Sequence, residues 1–128
     1  MAAEIGKALN DKLHVGTSYL YIGGFYASRN MKDSALYYFD LGMKEENNRK
    51  TDIGPYYNNF FIAIELYNGT KDAKLAEKYL TPVLENPKTN KYSDVYYWSV
   101  ELGTKVYADL KNFDKLAYCT KWYFFIER

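Results

Sequence analysis

One cysteine, one histidine and three prolines occur in the 128 residues, and each scarcity closes off a class of chemistry. Cys119 alone cannot form an internal disulfide or a cysteine zinc site, which fits a reducing compartment. Its neighbours read as a helix face, so an inert packed thiol is expected there. His14 alone supports neither a histidine metal cluster nor a conventional Ser/His/Asp triad, and reads as a surface or capping residue. There is no glycine-rich phosphate loop; Gly23-Gly24 reads as a helix-packing pair. No run approaches the ~20 apolar residues of a membrane span, and Phe60–Ile64 is only core-sized. Met1–Leu13 carries charges throughout and lacks the apolar centre of a secretory signal. Charge of either sign is not in excess: 17 basic and 16 acidic residues give +1, so no global field draws nucleic acid or an anionic membrane. Lys44, Arg49 and Lys50 form a small basic patch offset by Glu45-Glu46, a pair that reads as a solvated run at a helix end. No helix-turn-helix reader is apparent. The expectation is a cytoplasmic, non-catalytic protein without cofactor or metal, touching neither membrane nor nucleic acid directly.

What is abundant is tyrosine, with 15 copies, inside an otherwise ordinary soluble composition of 48% apolar and 26% charged residues. The length allows a single domain, residues 1–128. Three tyrosines recur with their surroundings: Tyr26, Tyr67 and Tyr107, at intervals of 41 and 40 residues. Nine residues after each come Ala35, Ala76 and Leu116, and four further on come Phe39, Leu80 and Thr120. Self-similarity at such a period marks a stacked repeat protein.

Every long segment has helical spacing. A short helix is expected over about 2–13, with Ile5, Leu9 and Leu13 on one stripe. Gly16 interrupts it, and Thr17 caps a helix to about Ser28. Asp33 is the expected cap of the next helix, to about Glu46, before a polar loop over Asn47–Gly54. Pro55 suits the first turn of a helix that stops at Gly69, read as a left-handed cap. Asp72 opens a helix with Pro82 inside it, predicting a kink or an early break, and Asn86-Pro87 begins a loop. Ser93 or Asp94 caps a helix to about Leu110, and Asp114 caps the last. The class is all-α: three helix pairs preceded by a short N-terminal helix.

The first pair is detailed enough to name. Tyr19, Ile22, Gly23, Tyr26, Ala35, Phe39 and Gly42 resemble the large, Leu, Gly, Tyr, Ala, aromatic and small positions of a tetratricopeptide repeat. Phe60, Ala63, Ile64, Tyr67, Ala76, Leu80 and Val83 resemble it in the second pair, with Ile64 where glycine is usual. In the third, Tyr107, Phe113, Asp114 and Lys115 resemble the pattern, while Leu116, Thr120 and Tyr123 replace its small and aromatic positions. The period exceeds the usual one of about 34, and the surplus falls in the loops Asn47–Gly54 and Asn86–Tyr92. The resemblance implies a right-handed superhelix of about three antiparallel pairs, repeats at about 16–49, 57–90 and 97–128. The long pairs are also similar in architecture to those of bacterial peptide-sensing regulators of the Rap, Rgg and PlcR type.

In such a solenoid the first helix of each pair lines the concave side. The groove positions are then Thr17, Leu20, Gly24, Ala27 and Ser28; Asn58, Phe61, Glu65 and Asn68; and Trp98, Glu101, Lys105 and Asp109. Asn58 and Asn68 suit an extended peptide backbone, because an amide both donates and accepts. Phe61 and Trp98 are the apolar anchors. Leu20 and Gly24 stand where a carboxylate-gripping repeat protein would place Lys and Asn, which argues against that clamp. The partner is expected to be a protein or peptide segment, making the chain an adaptor or sensor. A second expectation rests on Trp122, Tyr123, Phe124, Phe125 and Ile126, a helix apolar on most sides with no polar cap after it. It predicts self-association as a homodimer, a covering partner, or further chain. A peptide-responsive domain of a bacterial transcription regulator is a third reading.

Overall fold

The computed structural model describes residues 12–49, 54–86 and 93–127, and the side chains of 15–46, 56–86 and 93–124. Among these are six helices and no strand: α1 Lys12–Ser28, α2 Lys32–Arg49, α3 Gly54–Thr70, α4 Ala73–Leu84, α5 Asp94–Asp109 and α6 Phe113–Glu127. The all-α expectation holds. The short helix expected over 2–13 lies almost wholly outside the described residues, as do 50–53 and 87–92 of the two long loops; Asn47–Arg49 extends α2 instead of beginning a loop, and Gly54 opens α3.

The recurring tyrosine governs the turns. Asn30, Lys71 and Lys111, each four residues after it, have φ of 57°, 59° and 56°. These left-handed residues end α1, α3 and α5. In the first and third turns the tyrosine carbonyl accepts from the third residue past the helix: Met31 N–H to Tyr26 O at 2.9 Å, and Asn112 N–H to Tyr107 O at 3.0 Å. In the second turn Lys71 N–H donates to Tyr67 O at 3.1 Å. Both patterns satisfy carbonyls that a helix end would leave bare. The following residue then starts the next helix: Ala35, Ala76 and Leu116 N–H groups donate to the carbonyls of Met31, Asp72 and Asn112. The sequence repeat is therefore a repeat of backbone geometry.

Several expected boundaries differ. The left-handed cap is Lys71, not Gly69, which lies inside α3 with negative φ. A β-carbon on Gly69 would fall on the Ala27 carbonyl of α1, so its role is close approach rather than chain reversal. Gly16 and Thr17 likewise continue α1 instead of breaking it. The Thr17 hydroxyl donates to Glu46 Oε1 at 3.2 Å, and Gly16 leaves room for that carboxylate. Glu46 is thus buried, contrary to its reading as a solvated residue. Asn112, not Asp114, caps α6, accepting from Lys115 N–H at 3.2 Å, and Asp33 sits in the first turn of α2 rather than capping it. Asp72 and Ser93 are caps as expected, accepting from Leu75 and Tyr96 N–H groups. The Leu75 N–H, aided by Lys32 at 2.9 Å, holds the Asp72 carboxyl below its usual range and ties the first turn to α4. Pro82 lies inside α4, where it deprives the Lys78 carbonyl of its helical donor, and the helix ends two residues later at Leu84.

The helices pack as pairs α1–α2, α3–α4 and α5–α6, and α3 also touches α1, α2 and α5. Two cores result. The N-terminal one holds Leu20, Ala27, Ala35, Phe39, Ile62 and Leu66. The C-terminal one is larger and includes Phe60, Leu80, Val83, Tyr96, Val100, Val106, Tyr107 and Cys119. Each fully buried large side chain stabilises the fold by roughly 1.5–3 kcal/mol relative to exposure. With α3 buried on both flanks, only a narrow strip of it reaches solvent.

Candidate functional site

That strip, with matching strips on α1 and α5, carries an unusual density of open rings. Tyr21 is 60% exposed, Phe25 54%, Tyr57 43% and Trp98 39%, with Phe61 half-buried among them. Tyr21 and Phe25 share one face of α1 by their i, i+4 spacing, as do Tyr57, Phe61, Glu65 and Asn68 on α3, and Trp98, Glu101 and Lys105 on α5. The rings also join the helices. Tyr21 meets Phe61 edge to face at 5.5 Å, and Trp98 lies 5.8 Å from Phe60. Aromatic surface of this kind, part apolar and part polar, is characteristic of interfaces.

Of the residues expected here, Phe61, Glu65 and Glu101 are half-buried and Asn68, Trp98 and Lys105 are exposed, all on the strip. Asn58 is not on it: only 7% of its surface is accessible, and it shares the face of α3 that carries Ile62 and Leu66 into the N-terminal core. A peptide cannot reach it without opening that junction. On α1 the reading is about one residue out. Leu20 and Ala27 are buried in the core, because the small side of α1 packs on α2: a β-carbon on Gly23 would collide with the Phe39 ring. Tyr21 and Phe25, which the sequence reading passed over, take the open positions.

Charge on the strip is unevenly paired. Asp109 accepts the Tyr67 hydroxyl at 2.7 Å across the α3–α5 junction, and this bond, with burial and the negative charge, pushes the Tyr67 phenol up to about 12. Arg29 rests over the Phe25 ring at 5.1 Å. Glu65 has no such partner among the described residues, and burial pushes its carboxyl above the usual range.

The C-terminal helix differs from expectation. Trp122 and Tyr123 fold inward, Trp122 edge-on to Tyr96 at 6.1 Å and Tyr123 stacked on Tyr97 at 5.6 Å. The rings left outside are Phe113, Tyr118 and Phe124. The side chains of Phe125 and Ile126 lie outside the described residues. A cavity of about 480 Å³, floored by Leu84, Tyr107, Tyr118 and Cys119, lies on the side of α5 away from the strip. Burial pushes the Cys119 thiol up to about 11, which keeps it protonated and unreactive. Among the described residues no cluster of His, Cys, Asp and Glu could hold a metal, and no helix is long and apolar enough to cross a membrane. Compared with known proteins, the chain matches no family model, no curated sequence and no solved structure.

Proposed function

We propose that the chain is a non-catalytic binding module: a tetratricopeptide-like right-handed superhelix that holds a protein or peptide segment along the aromatic strip of α1, α3 and α5. The carrying observation is the row of open rings, Tyr21, Phe25, Tyr57 and Trp98, on the first helix of every pair. Rings on a rigid helix present large contact area at small entropic cost, and central aromatic anchors dominate binding energy. The pairwise packing and the three equivalent turns support the repeat reading. Such a module serves as the adaptor or sensor of a larger system. The test is affinity capture from the source organism with wild-type, Phe25→Ala, Trp98→Ala and Tyr37→Ala baits, quantified by mass spectrometry. Tyr37 is exposed on α2 and serves as the control. The strip variants should lose a partner that the control keeps; equal profiles for all baits would contradict the assignment.

A second reading, assembly through α6, is favoured by the exposure of Phe113, Tyr118 and Phe124 along the last described helix. It predicts a dimer that Phe124→Glu dissociates; a monomer at all concentrations in sedimentation would rule it out.

A further inference from the structure

Glu65 sits in the middle of the strip with its carboxylate laid against the backbone of α1. A β-carbon placed on Gly24 would lie 3.2 Å from Glu65 Oε1 and 3.5 Å from the Phe61 ring, so no side chain of α1 comes between. Phe61 thus lies beside the carboxylate, and the Tyr21 ring meets Phe61 edge to face at 5.5 Å. A half-buried anion loses hydration, and that loss is normally offset by a cation or by donors. Neither is supplied to Glu65 by the described residues. Two cations at the ends of α1 and α3 lie over rings: Arg29 over Phe25, and Lys71 over Tyr67 at 5.9 Å.

We propose that Glu65 is the specificity-determining residue of the strip, receiving a lysine or arginine side chain of the bound segment while Tyr21 and Phe61 contact its apolar stem. This rests on the groove reading above. A carboxylate beside aromatic rings suits such a side chain twice, through a charge-assisted hydrogen bond and through the ring faces. Glycine at position 24 keeps the approach open.

The experiment is selection of binders from a random peptide display library on the full-length chain, repeated on Glu65→Gln, Phe61→Ala and Trp98→Ala. Wild-type binders should share one basic position flanked by apolar residues. Replacing that residue by norleucine, or using Glu65→Gln, should weaken binding about tenfold, and added salt should weaken wild-type binding alone. Because Glu65→Gln removes an uncompensated charge, the variant should melt no lower than wild type, which separates lost binding from lost fold. Binders that need Phe61 and Trp98 but show no basic position, or bind Glu65→Gln equally, overturn the cation subsite and leave the groove intact. Binders indifferent to Phe61→Ala and Trp98→Ala, or no binders at all, overturn both. A wild-type dimer that Trp98→Ala dissociates assigns the strip to a second copy and also overturns the proposal.

Discussion

The two halves of the molecule fill their interiors in different ways. Around the α1–α3 junction the buried interior is filled by small and aliphatic groups, Leu20, Ala27, Ala35, Ile62 and Leu66 around the Phe39 ring, with Tyr26, Phe61 and Tyr79 packed at its edge. Gly23 and Gly69 let backbones meet there, and the rings of Tyr21, Phe25 and Tyr57 are left outside. Around the α5–α6 junction rings fill the interior as well, although Phe113 and Phe124 stay outside. Tyr96 and Tyr107 are fully buried, and the Tyr96 and Tyr118 hydroxyls share a hydrogen bond at 2.7 Å. The same turn geometry thus supports a close-packed half with an aromatic exterior and a ring-filled half with an aromatic core. Rings inside hold the fold, whereas rings outside are free to bind.

This contrast can be broken in order of size. Tyr107→Ala should destabilise by about 3–5 kcal/mol, because a large buried ring leaves a cavity, while Phe25→Ala should change stability by less than about 1 kcal/mol. Chemical denaturation of both measures the difference directly. Gly69→Ala should come next, at about 1–3 kcal/mol or more, since the obstruction is the Ala27 backbone and not a side chain that can rotate away. Near-wild-type stability for Gly69→Ala would mean that α1 and α3 are not closely apposed.

The smallest effect concerns Glu65. Its folded carboxyl is pushed above its ordinary value by burial, so the native chain holds the proton more tightly than the unfolded chain. The ionised form therefore weakens the fold above that raised value, and the penalty is relieved as pH falls through it. Glu65→Gln should stabilise by under about 1 kcal/mol at neutral pH, because the group is partly screened by solvent, and the gain should shrink on acidification. Denaturation midpoints at several pH values test this; a gain that grows towards acid would contradict it.

Much of the fold was legible in the sequence because it depends on spacing. The tyrosine period, the caps at Asp72 and Ser93 and the helical class all follow from local chemistry. What was not legible depends on rotation about a helix axis, where one residue means about 100°. That angle separates Leu20, buried, from Tyr21, open; Asn58 is buried for another reason, since helical spacing puts it close to the Glu65 side of α3. Glu46 and Gly69 were misread for a related reason: their roles are set by Thr17 and Ala27, far away in the chain.

The central claim is that the exterior rings of α1, α3 and α5 are the binding surface. Its most direct test is a photocrosslinking amino acid placed at position 25, and separately at position 37, in the full chain within its native host. A discrete adduct should form from position 25 on the strip and not from position 37 on α2. Adducts from position 37 alone, or the same adducts from both, would contradict the account.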